Sequence, residues 1–279
     1  MKRTNLVFAA SLLVFASFLA ACQKSESTDP MVNLAQDDDK VSALFDDTQN
    51  DVDELTAVST PAKSSSGSTS EFVMSPGSGT RTDVKSFSGD TVIHTITFVD
   101  FINGSSLNGH IKNGVIIVKV IGHPIDAKFE RTITLQNFYV DGNKIEGKRQ
   151  IIKIAEHQFT VALVGGKVTF TDGTTYTHEF TRTRTWIDGY ATLGNIWDDV
   201  FTIEGVATGI NRKGNAYTHT IIIPLVIKNS CRWIVEGSIE LVSNNKTAIL
   251  DYGDMNICDD KATITINGVT NDITLRTKR

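Results

Sequence analysis

The chain has 279 residues, 40% of them hydrophobic and 21% charged, with a net charge of −5. That balance is ordinary for a globular protein long enough to bury a sizeable core. Residues 24–58 carry ten acids against Lys24 and Lys40, which leaves residues 59–279 near neutral at +1 and without the basic field that nucleic acid requires.

Lys2 and Arg3 precede an apolar run from Leu6 to Leu19, broken by Ser11 and Ser17 and followed by Ala20-Ala21-Cys22. A basic start, a short apolar stretch and small residues before a cut make a secretory signal. Leu19-Ala20-Ala21-Cys22 resembles the lipobox of bacterial lipoproteins, in which the cysteine thiol takes a diacylglyceryl group before the preceding peptide bond is cut. The expected layout is a signal peptide over 1–21 and a lipid on Cys22. No second apolar stretch approaches the ~20 residues of a membrane-spanning helix, so the expectation is anchoring without spanning. An ordinary signal peptide with a chance cysteine is the alternative. Gln23 stands where enteric lipoproteins retained in the inner membrane typically have aspartate, and the analogy favours the outer membrane. Lys24 and Glu26 faintly resemble the charged signals of surface lipoproteins, so both periplasmic and surface exposure stay open.

Beyond the anchor, residues 22–84 read as a tether. Val41, Leu44, Phe45, Val52 and Leu55 fall on one side of a helix, with Asp37 to Asp39 at its N-terminal end. The reading is a short acidic amphipathic helix, docked on the body or free, whose acids are solvated and repel anionic lipid. Residues 59–82 are rich in Ser, Thr and Gly, with Pro61 and Pro76, and read as a flexible linker.

From Lys85 the pattern turns to period two. Thr91–Phe101, Arg131–Val140, Tyr176–Trp186, Ala216–Ile227 and Ala262–Ile266 alternate polar with apolar or β-branched residues. Asn103-Gly104, Asn108-Gly109, Asn113-Gly114, Asp141-Gly142, Asp172-Gly173, Asp188-Gly189 and Asn267-Gly268 are hairpin dipeptides. The predicted fold is all-β over 85–279: an antiparallel meander of about a dozen strands, curled or doubled into a sandwich or barrel-like sheet. Gly89, Gly173 and Gly214 are each followed five residues later by His94, His178 and His219, and the last two share G-x-x-Y-T-H. Gly268 opens a fourth unit in phase, with Ile273 in place of the histidine. One recurring turn-to-strand register follows.

If the repeated units were neighbours, His94, His178 and His219 could hold a divalent metal. The isoleucine in the fourth unit favours core-edge histidines with one hydrogen bond each, and no metal or other cofactor is expected. His178, Arg182, Arg184 and Trp186 share one strand face, a row that could hold a carboxylate or a sugar but reads better as a solvated face with cation–π support. Trp197-Asp198-Asp199, and Asp251, Asp254, Asp259 and Asp260 around Cys258, could bind calcium but lack its loop spacing and read as polar turns. No G-x-S-x-G, H-E-x-x-H, P-loop or G-x-G-x-x-G occurs, and dispersed carboxylates are the remaining catalytic route. With Cys22 acylated, an exported chain favours a disulfide between Cys231 and Cys258; two unlinked buried thiols are the alternative.

Gly205-Val-Ala-Thr-Gly-Ile-Asn211, Cys231-Arg232-Trp233, Asp251-Tyr252-Gly253-Asp254, Cys258-Asp259 and Ala262-Thr263-Ile264-Thr265 with Asn267-Gly268 form a pattern over residues 170–279. It resembles a group of uncharacterised β-rich lipoproteins of Bacteroidetes-type Gram-negative bacteria. Met255 departs from the glycine that often follows the Gly-Asp pair there. The resemblance implies an envelope location and supports the Cys231–Cys258 pair; it supplies no activity.

The functional expectation is therefore a lipid-anchored, non-catalytic binding or structural module of the outer membrane or cell surface. Its partners would be the membrane, through the lipid, and a glycan or envelope protein touched by Tyr176, Trp186, Trp197, Tyr217 and Trp233. A carrier of apolar or lipid cargo is the alternative, distinguished by a large apolar cavity inside the sheet. A hydrolase with dispersed carboxylates is the third reading.

Overall fold

Asp29 and Pro30 start a helix seven residues ahead of the first acidic triplet. The Asp29 carboxylate accepts from the Met31 amide at 2.8 Å, and proline suits the first helical position because its missing N–H would have no helical partner. The resulting α1 runs Pro30–Ala57, 28 residues, so Asp37 to Asp39 lie inside it and not at its N-terminus, and it is not short. In this computed structural model the described residues are 29–57, 70–74, 79–102, 109–254 and 256–275. The lipobox and Cys22 lie outside them.

Fifteen strands follow α1 among the described residues: β1 (Ser70–Met74), β2 (Thr80–Ser88), β3 (Thr91–Ile102), β4 (Ile111–Ile121), β5 (Glu130–Val140), β6 (Asn143–Ala155), β7 (Gln158–Thr169), β8 (Thr175–Thr177), β9 (Glu179–Asp188), β10 (Val200–Ile210), β11 (Ala216–Lys228), β12 (Ile234–Ser243), β13 (Lys246–Asp251), β14 (Lys261–Ile266) and β15 (Val269–Thr274). A 3₁₀ turn, Ile196–Asp198, precedes β10. All pair antiparallel in chain order in one unclosed sheet, with β9 taking the place beside β7 and the short β8 pairing β7 off the path. The all-β meander is thus the observed fold. The sheet begins earlier than residue 85, because β1 and β2 occupy part of the segment read as linker.

Two of the dipeptides, Asp141-Gly142 and Asn267-Gly268, have positive φ at both residues, as type I′ turns require. Asn113-Gly114 is different. It lies inside β4 at a register shift, and a Cβ on Gly114 would come within 2.1 Å of the Asn137 carbonyl. There glycine builds a bulge and no turn.

Met31, Leu34, Val41, Leu44, Phe45, Val52 and Leu55 of α1 join the same hydrophobic cluster as the sheet's inward residues, such as Ile96, Phe98, Phe138 and Leu241. The predicted apolar stripe is therefore docked. Buried acids surround it, which tells that the sheet curls about the helix and covers its polar side as well. Asp47, Asp51 and Glu54, spaced to share one helix face, meet Lys112 of β4 and Arg81 of β2. Asp46 and Asp53, on the next face, meet Arg149 of β6, Arg131 of β5 and Arg184 of β9. Asp37 reaches Arg212 at 3.4 Å, in the turn before β11. These acids do not serve as a solvated spacer. They neutralise the basic concave face of the sheet, where unpaired charge would be costly.

Cys231 and Cys258 are joined by a disulfide with a Cα–Cα distance of 5.7 Å. Cys231→Ser/Cys258→Ser should lower unfolding stability by about 3–4 kcal/mol, the chain-entropy value for a loop of this size. Paired denaturant titrations of the two forms read it directly.

Candidate functional site

The G-x-x-Y-T-H repeat explains the most enclosed polar cluster. Tyr217 and His219 are two residues apart on β11 and face the same way, while Tyr176 lies on β8 and His178 in the break that follows it. His219 Nδ1 lies 2.6 Å from Asp38 Oδ2, and the Tyr176 hydroxyl donates to Asp38 Oδ1 at 3.0 Å. His178 Nδ1 sits 2.6 Å from the Tyr217 oxygen and 3.7 Å from Asp38 Oδ1. Arg182 donates to His178 Nε2 at 3.4 Å, so Nδ1 carries the proton. His178 interrupts the strand between β8 and β9. Its carbonyl would lie 2.0 Å from a Cβ on Gly166, which is why that position has no side chain.

The electrostatics follow from burial. Desolvation drives the His178 pKa down to about 3 and keeps the ring neutral. Desolvation would raise Asp38, but His219 and then His178 and Arg182 overcome it and hold the carboxyl at about 2. Burial and the Asp38 charge push Tyr176 and Tyr217 above the ordinary tyrosine range. A carboxylate, two histidines and two tyrosines are the parts of an acid–base site. Here every one is at most 3% exposed, so no substrate reaches them, and the cluster is a structural network.

The three repeated histidines do not come together. His94 pairs with Asp83 at 2.9 Å, away from the Asp38 cluster. Among the described residues no group of three or more His, Cys, Asp or Glu is placed to hold a metal ion. Asp251, Asp254 and Asp259 line an open groove of about 940 Å³ beside β12–β15, while Asp260 pairs with Lys261.

The accessible chemistry lies at the mouth of the curled sheet, around the C-terminal half of α1. A vestibule of about 210 Å³ is lined by Asp47, Asp51, Glu54, Lys112 and Trp197. Beside it a cup of about 100 Å³ has walls of Phe129, Phe159, Trp186, Phe201, Ile151 and Leu193. Gln49, Asp53, His123, Arg131, Arg184 and Asp199 supply its polar atoms. Arg131 donates to Asp53, and the Arg184 guanidinium carbon sits over Phe201, 3.5 Å from the ring centroid. Trp186 stacks on Phe201 and donates its indole N–H to Asp199 at 3.1 Å. Among the described residues no serine, cysteine, threonine or lysine lines the cup.

The face bearing His178, Arg182, Arg184 and Trp186 is therefore the inner face and not a solvated one. Its cation–π support is present, from Arg182 on Phe180 and Arg184 on Phe201. Of the predicted contact residues, Arg184 and Trp186 line the cup, Arg182 lies in an adjoining cleft, and Trp197 is 60% exposed in the vestibule. Tyr176 and Tyr217 are buried in the Asp38 network, and Trp233 is half-buried against the core. Asp53, Phe129, Arg131, Phe159 and Phe201 escaped the sequence reading, since nothing local links them. Comparison with known proteins finds no family model, curated protein or solved structure that matches the chain.

Burial raises the Asp199 pKa to about 7, with the Trp186 hydrogen bond and Arg184 pulling the other way and Asp198 and Asp53 adding to the rise. A carboxyl whose pKa is higher folded than unfolded holds its proton in the native state between about pH 4 and about pH 7. Its contribution to stability therefore declines as pH rises through that window. Asp199→Asn should flatten the change in unfolding midpoint between about pH 5 and about pH 8, measured by urea titration at each.

Proposed function

We propose that this chain is a lipid-anchored, non-catalytic binding module of the cell envelope whose ligand seat is the aromatic cup at the mouth of the sheet. The observation that carries the reading is the cup itself. It is a concave apolar space with converging arginines beside a fixed helix, the usual form of a small-ligand site. Both carboxylates there have structural partners, Asp53 with Arg131 and Asp199 with Trp186, which favours binding over hydrolysis. Carriage of bulky apolar cargo finds less support, because α1 fills the space between the curled strands.

The anchor rests on the Leu19-Ala20-Ala21-Cys22 pattern. Cells fed a radiolabelled fatty acid should label the protein and place it in the outer-membrane fraction, and Cys22→Ser should lose both. Label retained on the serine variant would refute the anchor. For the seat, the full chain in phospholipid nanodiscs should show changed Trp186 fluorescence on titration with ring-bearing small molecules. A response unchanged in Trp186→Phe would move the seat elsewhere.

A further inference from the structure

Arg184 is a cup cation whose bonding is incomplete. Its side chain is only 16% exposed, yet among the described residues its guanidinium makes no hydrogen bond. Its nearest anion is Asp53, with 3.9 Å between Nη1 and Oδ2, beyond hydrogen-bond range. Arg131 already holds that carboxylate by a short contact. A buried guanidinium with unfilled donors is expensive, and most such groups in folded proteins are hydrogen-bonded. Its guanidinium carbon is held 3.5 Å over the Phe201 ring, which restricts the group, and a restrained guanidinium suits two-pronged recognition of a carboxylate. Nearby, His123 Nδ1 is likewise buried with no hydrogen-bond partner among the described residues.

The charge count agrees. Two guanidinium groups share the cup with two carboxylates, and burial of Asp199 raises its pKa to about 7 and so opposes its charge. Size narrows the guest. Apolar cavities of roughly 150 Å³ take up benzene, so a cup of about 100 Å³ open at one side seats one six-membered ring. Phe129 and Phe159 meet edge to face with centroids 5.9 Å apart, leaving aromatic surface for a flat guest.

We infer that the cup binds a small ring-bearing carboxylate, the ring between Phe129, Phe159 and Trp186 and the carboxylate on Arg184. This rests on the reading of the cup as the ligand seat. Isothermal titration of the full chain in nanodiscs with benzoate and with benzyl alcohol separates the two claims. The expected result is benzoate binding at least about tenfold more tightly, the value of a charge-assisted hydrogen bond to a buried group. Arg184→Met should abolish that preference by weakening benzoate far more than benzyl alcohol, and Leu193→Trp, at the exposed rim, should weaken both.

Equal affinity for the two compounds in the unmodified protein would overturn the carboxylate assignment while leaving the seat in place. Binding of neither compound, or binding untouched by Leu193→Trp, would overturn the seat as well. The comparison in the unmodified protein needs no variant to fold.

Discussion

Asp38→Ala should cost about 3–5 kcal/mol of unfolding stability, the loss typical when one member of a buried charged network is removed. Asp38 is 1% exposed and accepts from Tyr176 and His219 on strands well apart in sequence. Alanine leaves both donors buried without that acceptor and opens a void where α1 meets β8 and β11. Asparagine keeps an oxygen for one donor, so Asp38→Asn should cost less. The pH dependence has a definite sign. Asp38 falls from an ordinary 3.8 to about 2 in the fold, so its stabilisation is complete above about pH 4 and is lost as pH drops through about 2. His178 falls from 6.5 to about 3, so the unfolded chain takes a proton that the native state refuses, and acidification across that range weakens the fold in the same direction. Urea unfolding followed by circular dichroism at several pH values should show a steeper acid limb in the parent than in Asp38→Asn.

Lys112→Met carries a comparable expectation and a sharper control. The Lys112 ammonium is 2.8 Å from Asp47 and 2.6 Å from Asp51, and its side chain is 2% exposed. Burial opposes the charge, but the two carboxylates outweigh it and raise the lysine above its ordinary pKa. Asp51 is pushed up to about 6 by burial, with Lys112 opposing and Asp47 reinforcing. Removing the cation leaves two acids facing each other, for about 3–5 kcal/mol of lost stability. Both carboxylates border the vestibule, but Asp47 is 15% exposed and can be hydrated there, whereas Asp51 is only 3% exposed. The double variant Lys112→Met/Asp51→Leu should therefore recover most of the loss. An equally unstable double variant would mean that the lysine acts through packing and not through charge.

The strands were legible because their inward and outward residues alternate within a few positions. Thr91–Phe101 and Ala216–Ile227 match β3 and β11 nearly to the residue. The helix was legible in phase, since Val41, Leu44, Phe45, Val52 and Leu55 do face the core. Its acids misled, because charge on a helix near a membrane anchor reads as solvation until its partners are known. Those partners, from Arg81 to Arg212, are scattered over five strands and a turn, each looking like an isolated surface base. The Y-T-H repeat revealed a shared register but not its purpose, since the carboxylate that unites His178 and His219 lies 140 and 181 residues away in sequence. The aromatic cup was hidden for the same reason. Phe129, Phe159, Trp186 and Phe201 come from separate strands or their edges, and only the curl of the sheet gathers them.

Hydrogen–deuterium exchange of residues 30–57 tests most directly whether the acidic segment is the charged core of the fold and not a spacer. The amides of α1 from Leu34 to Val52 should exchange as slowly as those of β4 and β11, because opening them requires breaking the whole curled sheet. Exchange complete within seconds, with the strands still protected, would contradict it.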